Sequence, residues 1–291
     1  MTSTAPYSKA FSGKIIHSKC GEPITDILSE DFASQMQRHG VILYTNFAVD
    51  PLSFGEFANN NSGRLILDPT RQTHHESVQR VLVGTGAIDL HSEHSNSPFA
   101  PDYLWFYCRS AADSQGQTTV ANGNEIWNEL KPETQQFFCQ HKIVFERVFP
   151  EPFWKVFVWS MLEEKIAVED VTTAHLHHLF KDQPDAVITI EAENSIRLCY
   201  SRYAFNVFDK TTKFFVNSMM GPYAGQTLSI ENDTPIAPHI LKDVATVYTS
   251  QTEEIPWQNG DIAVIDNMRF MHGRRESNDM TRELFSILSF K

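Results

Sequence analysis

What most limits how this chain can fold is a succession of short β-forming runs through its second two-thirds. YLWFYCR (103–109), TTVAN (118–122), IVFERVF (143–149), AVITIEA (186–192), IRLCYSRYAF (196–205), KFFVNSM (213–219), DIAVID (261–266) and LFSILSF (284–290) are each rich in β-branched or aromatic residues and bounded by turn formers. Strands this short and this numerous satisfy their edges by closing into a sandwich, barrel or jelly roll. Helices are expected mainly to flank them. SEDFASQMQRHG (29–40) carries Ser29 as an N-cap, Phe32, Ala33 and Met36 at helical spacing, and Gly40 as the stop. DPLSFGEFANNNSG (50–63) reads as a second helix, with the VILYTNF strand (41–47) between the two, and NEIWNELKPETQQFFCQH (124–141) and TTAHLHHLFKD (172–182) interrupt the strand-rich part. The expected class is therefore mainly β with flanking helices. With no repeat, charge block or low-complexity linker, residues 1–291 read as one domain with a lid or insert around 150–185.

Charge narrows the partners. Lys and Arg number 24 against 36 Asp and Glu, a formal net charge of −12, and no basic run offsets it, so a phosphate backbone is an unfavourable partner. No apolar run reaches the roughly 18 residues of a spanning helix, and the opening MTSTAPYSKAFSGK lacks the apolar centre of a secretion signal, so the expected location is the cytoplasm and no membrane partner is expected. The four cysteines, Cys20, Cys108, Cys139 and Cys199, form no short pair. They read as core or surface thiols rather than a zinc or redox motif.

The chemistry is concentrated in AIDLHSEHSN (87–96), where His91, Glu93 and His94 crowd into four positions. In an extended segment His91 and Glu93 share a face and His94 turns away, so the pair needs a third ligand from elsewhere in the chain. IPWQNGDIAVIDNMRFMHGRRE (255–276) offers His272, a few residues past a strand opened by an Asn259-Gly260 turn. Two imidazoles and one carboxylate leaving three coordination positions open is the set used by non-haem Fe(II) oxygenases. The chain holds 12 histidines, so this choice of three competes with others. His94 itself reads as a supporting or loop-structural residue.

LHSEHSNSPFAPDYLWFYCRSAADSQGQTTVANGNEIWNEL (90–130) with WQNGDIAVIDNMRFMHGR (257–274) resembles the TauD/TfdA group of Fe(II)/2-oxoglutarate-dependent oxygenases, including its clavaminate-synthase-like members. The likeness runs from RHGVILYTNFAVDPLSFGEFA (38–58) to the last strand, and its sharpest parts are the H-x-E pair and the GD…DN…HGR ending. It implies a distorted double-stranded β-helix, a cupin-like jelly roll, with the metal and cosubstrate at its open mouth. His91, Glu93 and His272 would hold Fe(II). Arg282, ten residues past His272, would bind the far carboxylate of 2-oxoglutarate, assisted by Thr118, with Thr119 as competitor because Gln115 stands where the group usually has a glycine. Dioxygen would be the second cosubstrate. Because Glu93 keeps the carboxylate that related halogenases lose, the implied outcome is hydroxylation of a C–H bond, with desaturation or ring closure as alternatives. A zinc hydrolase or a non-catalytic jelly-roll binding protein are the competing classes.

The substrate is expected to be a small, carboxylate-bearing, amino-acid-like molecule of specialised metabolism, with sulfonates and aryloxy acids as competitors. Asn60, Arg80, Arg202 and Arg274 are the polar candidates for holding it, and Phe149, Trp154, Trp159 and Tyr203 the aromatic ones. Glu93 is expected to face solvent, so that Glu93→Ala would leave the fold intact.

Overall fold

The computed structural model describes residues 9–81, 84–112, 115–162, 166–221, 225–277 and 281–291. The first eight residues, where the absence of a secretion signal was read, and residues 163–165 of the expected lid lie outside them. The architecture is built on two facing sheets. The larger runs Lys14–His17, Val41–Thr45, Ile262–Asp266, Tyr103–Ser110, Glu283–Phe290, Val78–Arg80, Gln72–His75, with Arg64–Ile66 also on Glu283–Phe290. The smaller runs Glu253–Glu254, Thr118–Asn122, Phe270–Arg274, Ile88–His91. Apart from the parallel pair Lys14–His17 and Val41–Thr45, the pairings in both sheets are antiparallel.

Alternation along the strands makes the layers. In Tyr103–Ser110, Leu104, Phe106 and Cys108 point inward and meet Val120 and Phe270 of the smaller sheet, while Tyr103, Trp105 and Tyr107 point outward. That outer face is covered by α1 (Ser29–His39) and α2 (Pro51–Asn60) through Phe32, Met36, Phe54 and Phe57. The far face of the smaller sheet, Leu90, Ala121 and Met271, is covered by α3 (Gly123–Glu129), α4 (Pro132–Gln140) and α7 (Pro238–Gln251). This is the jelly roll with flanking helices that the strand pattern implies.

Helix boundaries follow local chemistry with two departures from the sequence reading. α1 begins at Ser29 itself, after Leu28, and the Ser29 hydroxyl donates to the Asn60 carbonyl instead of capping its own helix. It does end at Gly40, whose φ of 69° suits glycine. The run 124–141 is two helices rather than one, because Pro132 forces Lys131 into an extended conformation. Two helices went unread. FPEPFWKVFVWSM holds α5 (Glu151–Met161), which buries Trp154, Val158 and Met161 at helical spacing. α7 buries Ile240, Val244, Val247 and Tyr248, β-branched and aromatic residues whose propensity argues against helix until packing overrides it.

A third sheet, Ala186–Ile190, Ile196–Arg202, Ile143–Phe149, Thr227–Ile230, is not hydrogen-bonded to the two core sheets among the described residues, but its Ile143, Phe145 and Ile230 pack into the layer around Leu90, Ala121 and Met271. α5 and α6 (Thr173–Phe180) pack against it in a cluster of their own around Trp154, Val158, Leu176 and Ile196. Among the described residues no helix is long and apolar enough to cross a membrane.

Candidate metal centre and its cavity

The centre is set by strand register. Phe270–Arg274 lies between Thr118–Asn122 and Ile88–His91, and the register puts His272 directly opposite His91. Their ring centroids are 4.2 Å apart, although 180 residues separate them in sequence. So close an approach needs Gly273, where a Cβ would sit 2.4 Å from the Ile88 carbonyl oxygen. Glu93 lies just past the strand end, and its Oε2 is 3.5 Å from His272 Nε2. One ligand-capable atom from each of His91, Glu93 and His272 lies within 4.8 Å of the others, and all three residues are buried.

Protonation suits a cation. His91 Nδ1 lies 2.9 Å from the Asp89 carbonyl, which can only accept, so Nδ1 carries the proton and Nε2 keeps its lone pair. Burial, with His272 adding to it, lowers the His91 pKa to about 3, leaving the ring neutral. For Glu93, burial pulls upward, but Arg71, the bond from His272 and the nearby His94 together hold the carboxyl well below its ordinary range. His272 Nδ1 is buried without a hydrogen-bond partner among the described residues. A neutral His91 and an ionised Glu93, with the His272 imidazole beside them in one buried cluster, are a donor set that fits a borderline divalent ion such as Fe(II).

Glu93 is not solvent-facing as the sequence suggested. It is 3% exposed, and Arg71 Nη2 donates to its Oε2 at 2.7 Å. Arg71 is itself fixed by Ser286 Oγ at 2.9 Å and Asp68 Oδ2 at 3.2 Å. Glu93→Ala would therefore leave a largely covered guanidinium short of a partner, and Glu93→Gln is the cleaner probe. His94, at φ 53°, turns to the other side of Glu93, with Nε2 3.7 Å from both Glu93 Oε1 and Asp68 Oδ2.

Arg282 and Thr118 meet at the same cavity. Arg282 Nη2 donates to Thr118 Oγ1 at 3.1 Å and Nη1 to the Gly116 carbonyl at 2.7 Å. Burial lowers its pKa to about 10, which leaves it charged at neutral pH. Thr119, the competitor, points away, its Oγ1 lying 2.9 Å from where a Gly273 Cβ would be. The cavity holding these groups measures 690 Å³ and extends from the His91, Glu93 and His272 cluster to the faces of α5 and α6.

Similarity then bears on this geometry. The sequence profile of the taurine catabolism dioxygenase TauD, TfdA family matches residues 5–288. The chain belongs to that family. A clavaminate synthase-like protein of Arabidopsis thaliana is 22% identical over 220 residues, covering 69% of this chain and 64% of that protein, so the match spans less than two-thirds of the relative. Among solved structures, the fold is like that of PvcB from Pseudomonas aeruginosa, at a TM-score of 0.61 and 11% identity over 95% of this chain and 84% of that one. PvcB is described as an Fe, alpha-ketoglutarate dependent oxygenase from an isonitrile synthetic pathway. It is also like a putative alpha-ketoglutarate-dependent taurine dioxygenase from Burkholderia xenovorans, at a TM-score of 0.63 and 14% identity over 98% and 88% of the two chains.

For this TauD, TfdA family chain the polar substrate candidates divide. Arg274 lines the cavity, with Nη2 on the Gly86 carbonyl at 2.8 Å. Asn60, Arg80 and Arg202 are not among the lining residues. Asn60 ends α2 on the outer face, Arg80 pairs with Glu283 at 3.3 Å on the surface, and Arg202 spends its guanidinium on Asn206 Oδ1 and backbone carbonyls. Of the aromatic candidates, Phe149 and Trp154 reach the cavity, while Trp159 bonds the Ile166 carbonyl and Tyr203 is exposed. Sequence reasoning missed Arg71, Asp68 and Asn267. Asn267 Oδ1 accepts from the Glu93 N–H at 2.8 Å while Nδ2 donates to the Glu93 carbonyl at 3.0 Å, so it clamps both sides of that residue. Its signal was present as the DN of the C-terminal motif, which the family resemblance flagged without a role.

Proposed function

We propose that this chain is a non-haem Fe(II)/2-oxoglutarate-dependent oxygenase that hydroxylates a C–H bond of a small carboxylate-bearing molecule. The observation that carries the reading is the meeting of His91, Glu93 and His272 in one cavity with Arg282 held against Thr118. In this reading His91, Glu93 and His272 hold the iron, and Arg282 with Thr118 receives the far carboxylate of oxoglutarate through a charge-assisted bond. Bound Fe(II) with oxoglutarate and dioxygen supplies the oxidising power, releasing succinate and carbon dioxide.

The protein's own part is positioning. Asn267 fixes the Glu93 backbone and Arg71 fixes its carboxylate, so the donor set needs little rearrangement to accept an ion. The retained Glu93 carboxylate supports hydroxylation, with desaturation or ring closure decided by how the substrate lies. Arg274 is the remaining polar candidate for the substrate, and the α5–α6 segment serves as the lid of a single-domain enzyme. The Arg282–Thr118 pair also favours this reading over a zinc hydrolase, which has no use for a second buried anion site.

Anaerobic addition of Fe(II) and then oxoglutarate tests it. The expected result is a weak visible charge-transfer band that is absent in Glu93→Gln. A protein that binds Fe(II) but gives no band with oxoglutarate, or a band unchanged in that variant, sinks the assignment.

A further inference from the structure

Outside the metal-ligand cluster and the Arg282 clamp, the cavity changes character. Its far wall is formed by the third sheet with α5 and α6, and there the lining is apolar: Phe149, Phe153, Phe157, Phe180, Leu176 and Leu198. Phe149, Phe157, Leu176 and Phe180 also pack into the cluster around α5 and α6, yet part of this wall keeps surface free. Phe153 is 41% exposed and the neighbouring lining residue Val148 is 42% exposed, while Phe149, Phe157 and Phe180 are half-buried. Large apolar side chains kept facing an internal space of this size mark a ligand surface rather than a core.

Size and charge constrain what fits. A water occupies about 30 Å³ of liquid, so 690 Å³ has room for roughly twenty non-hydrogen atoms, of which oxoglutarate takes about ten. About a dozen remain, more than the smallest amino acids fill. The described lining contains four arginines, Arg71, Arg147, Arg274 and Arg282, but only two carboxylates, Asp68 and Glu93. Both carboxylates are held by Arg71, at 3.2 and 2.7 Å. Among the described lining residues an ammonium group would thus find no acidic partner of its own, which is costly where water is displaced. An anion meets the opposite situation. Arg147, stacked 4.9 Å from the Phe149 ring centroid, and Arg274 both border the space, and a guanidinium's five donors allow it to serve a ligand while keeping its protein contacts.

We infer that the substrate is an amphipathic acid without a free amino group, whose bulky apolar body lies along the α5–α6 wall. This rests on the oxygenase reading for its chemistry but is read by binding alone. It also departs from the amino-acid-like substrate that the sequence suggested.

Titration calorimetry of the Fe(II)- and oxoglutarate-loaded protein, anaerobic, compares matched acids. 3-Phenylpropanoate should bind at least tenfold more tightly than phenylalanine, which differs only by the ammonium, and 3-(2-naphthyl)propanoate more tightly than propanoate by tenfold or more. Phe153→Ser, at a half-exposed position the fold tolerates, should weaken the naphthyl acid severalfold while changing propanoate little. Equal or tighter binding of phenylalanine, or affinity indifferent to the apolar body, overturns the inference even if the charge-transfer band forms normally. The same titrations on metal-free protein separate the two readings. Size-graded acid binding there, with no band on adding Fe(II) and oxoglutarate, sinks the oxygenase assignment and upholds the amphipathic site.

Discussion

The two ends of the cavity are built on opposite plans. At the His91, Glu93 and His272 end the charged groups are tied: Arg71 bridges Asp68, Glu93 and Ser286, Asn267 grips the Glu93 backbone on both sides, and Arg282 is spanned between Gly116 and Thr118. At the α5–α6 end, aromatic side chains face the space with surface to spare. The lesson is one of tolerance. A fixed polar network loses function when any member goes, because each partner left behind is buried and short of a bond, whereas a half-exposed apolar wall can change with little cost to the fold.

The sharpest way to break this contrast is Glu93→Gln, which keeps the shape and the Arg71 contact but removes the charge. Oxoglutarate-dependent succinate release should fall to background with the circular dichroism spectrum unchanged. Succinate production at the native rate would end the comparison. Next in size is Arg282→Leu. Losing a charge-assisted bond worth about 1.5–3 kcal/mol should raise the oxoglutarate concentration needed for half-maximal turnover roughly ten- to a hundredfold, measured by steady-state kinetics.

Arg71→Gln probes the network from outside the ligand cluster. Metal affinity, read with Mn(II) by electron paramagnetic resonance, should weaken about tenfold to a hundredfold, because the group orienting Glu93 is lost. The pH dependence has a definite sign. Arg71 is the leading influence lowering the Glu93 pKa against burial, so without it that pKa rises. Metal binding in the variant should then fade at a higher pH than in the native protein as acid is added. Coincident pH profiles would show that Arg71 does not govern the carboxylate. The smallest effect belongs to the apolar end: Phe153→Ala, at a 41% exposed position, should shift unfolding free energy by no more than about 1 kcal/mol in urea titrations. A loss of several kcal/mol would mean that this wall is core after all.

How much was legible in the sequence divides along the same line. His91, Glu93 and His272 could be proposed as a set because ligand chemistry restricts residue types, although the short strands that carry the two histidines, IDLH and FMHGR, have no β-branched run to announce them. The reasoning from alternation was only partly the operative one. His91 ends its strand, and Glu93 is brought round by the loop and the Asn267 clamp rather than by the pleat. Arg71 was invisible because its ion pair with Glu93 spans 22 residues and leaves no local pattern. α5 went unread because its aromatic residues satisfy strand and helix descriptions alike until a partner surface selects one, and α7 because its β-branched residues speak for strand. Arg80 and Arg202 were drawn in by charge alone, and charge does not say which face a residue occupies.

The facing of His91 and His272 across neighbouring strands has a use beyond chemistry. Sliding either strand by one residue would swing its imidazole to the opposite side, where Leu90 and Met271 now point into the hydrophobic layer beneath α7. Under the proposed reading, uptake of an ion would therefore also be a proofreading signal, reporting that two segments far apart along the chain have found their correct alignment.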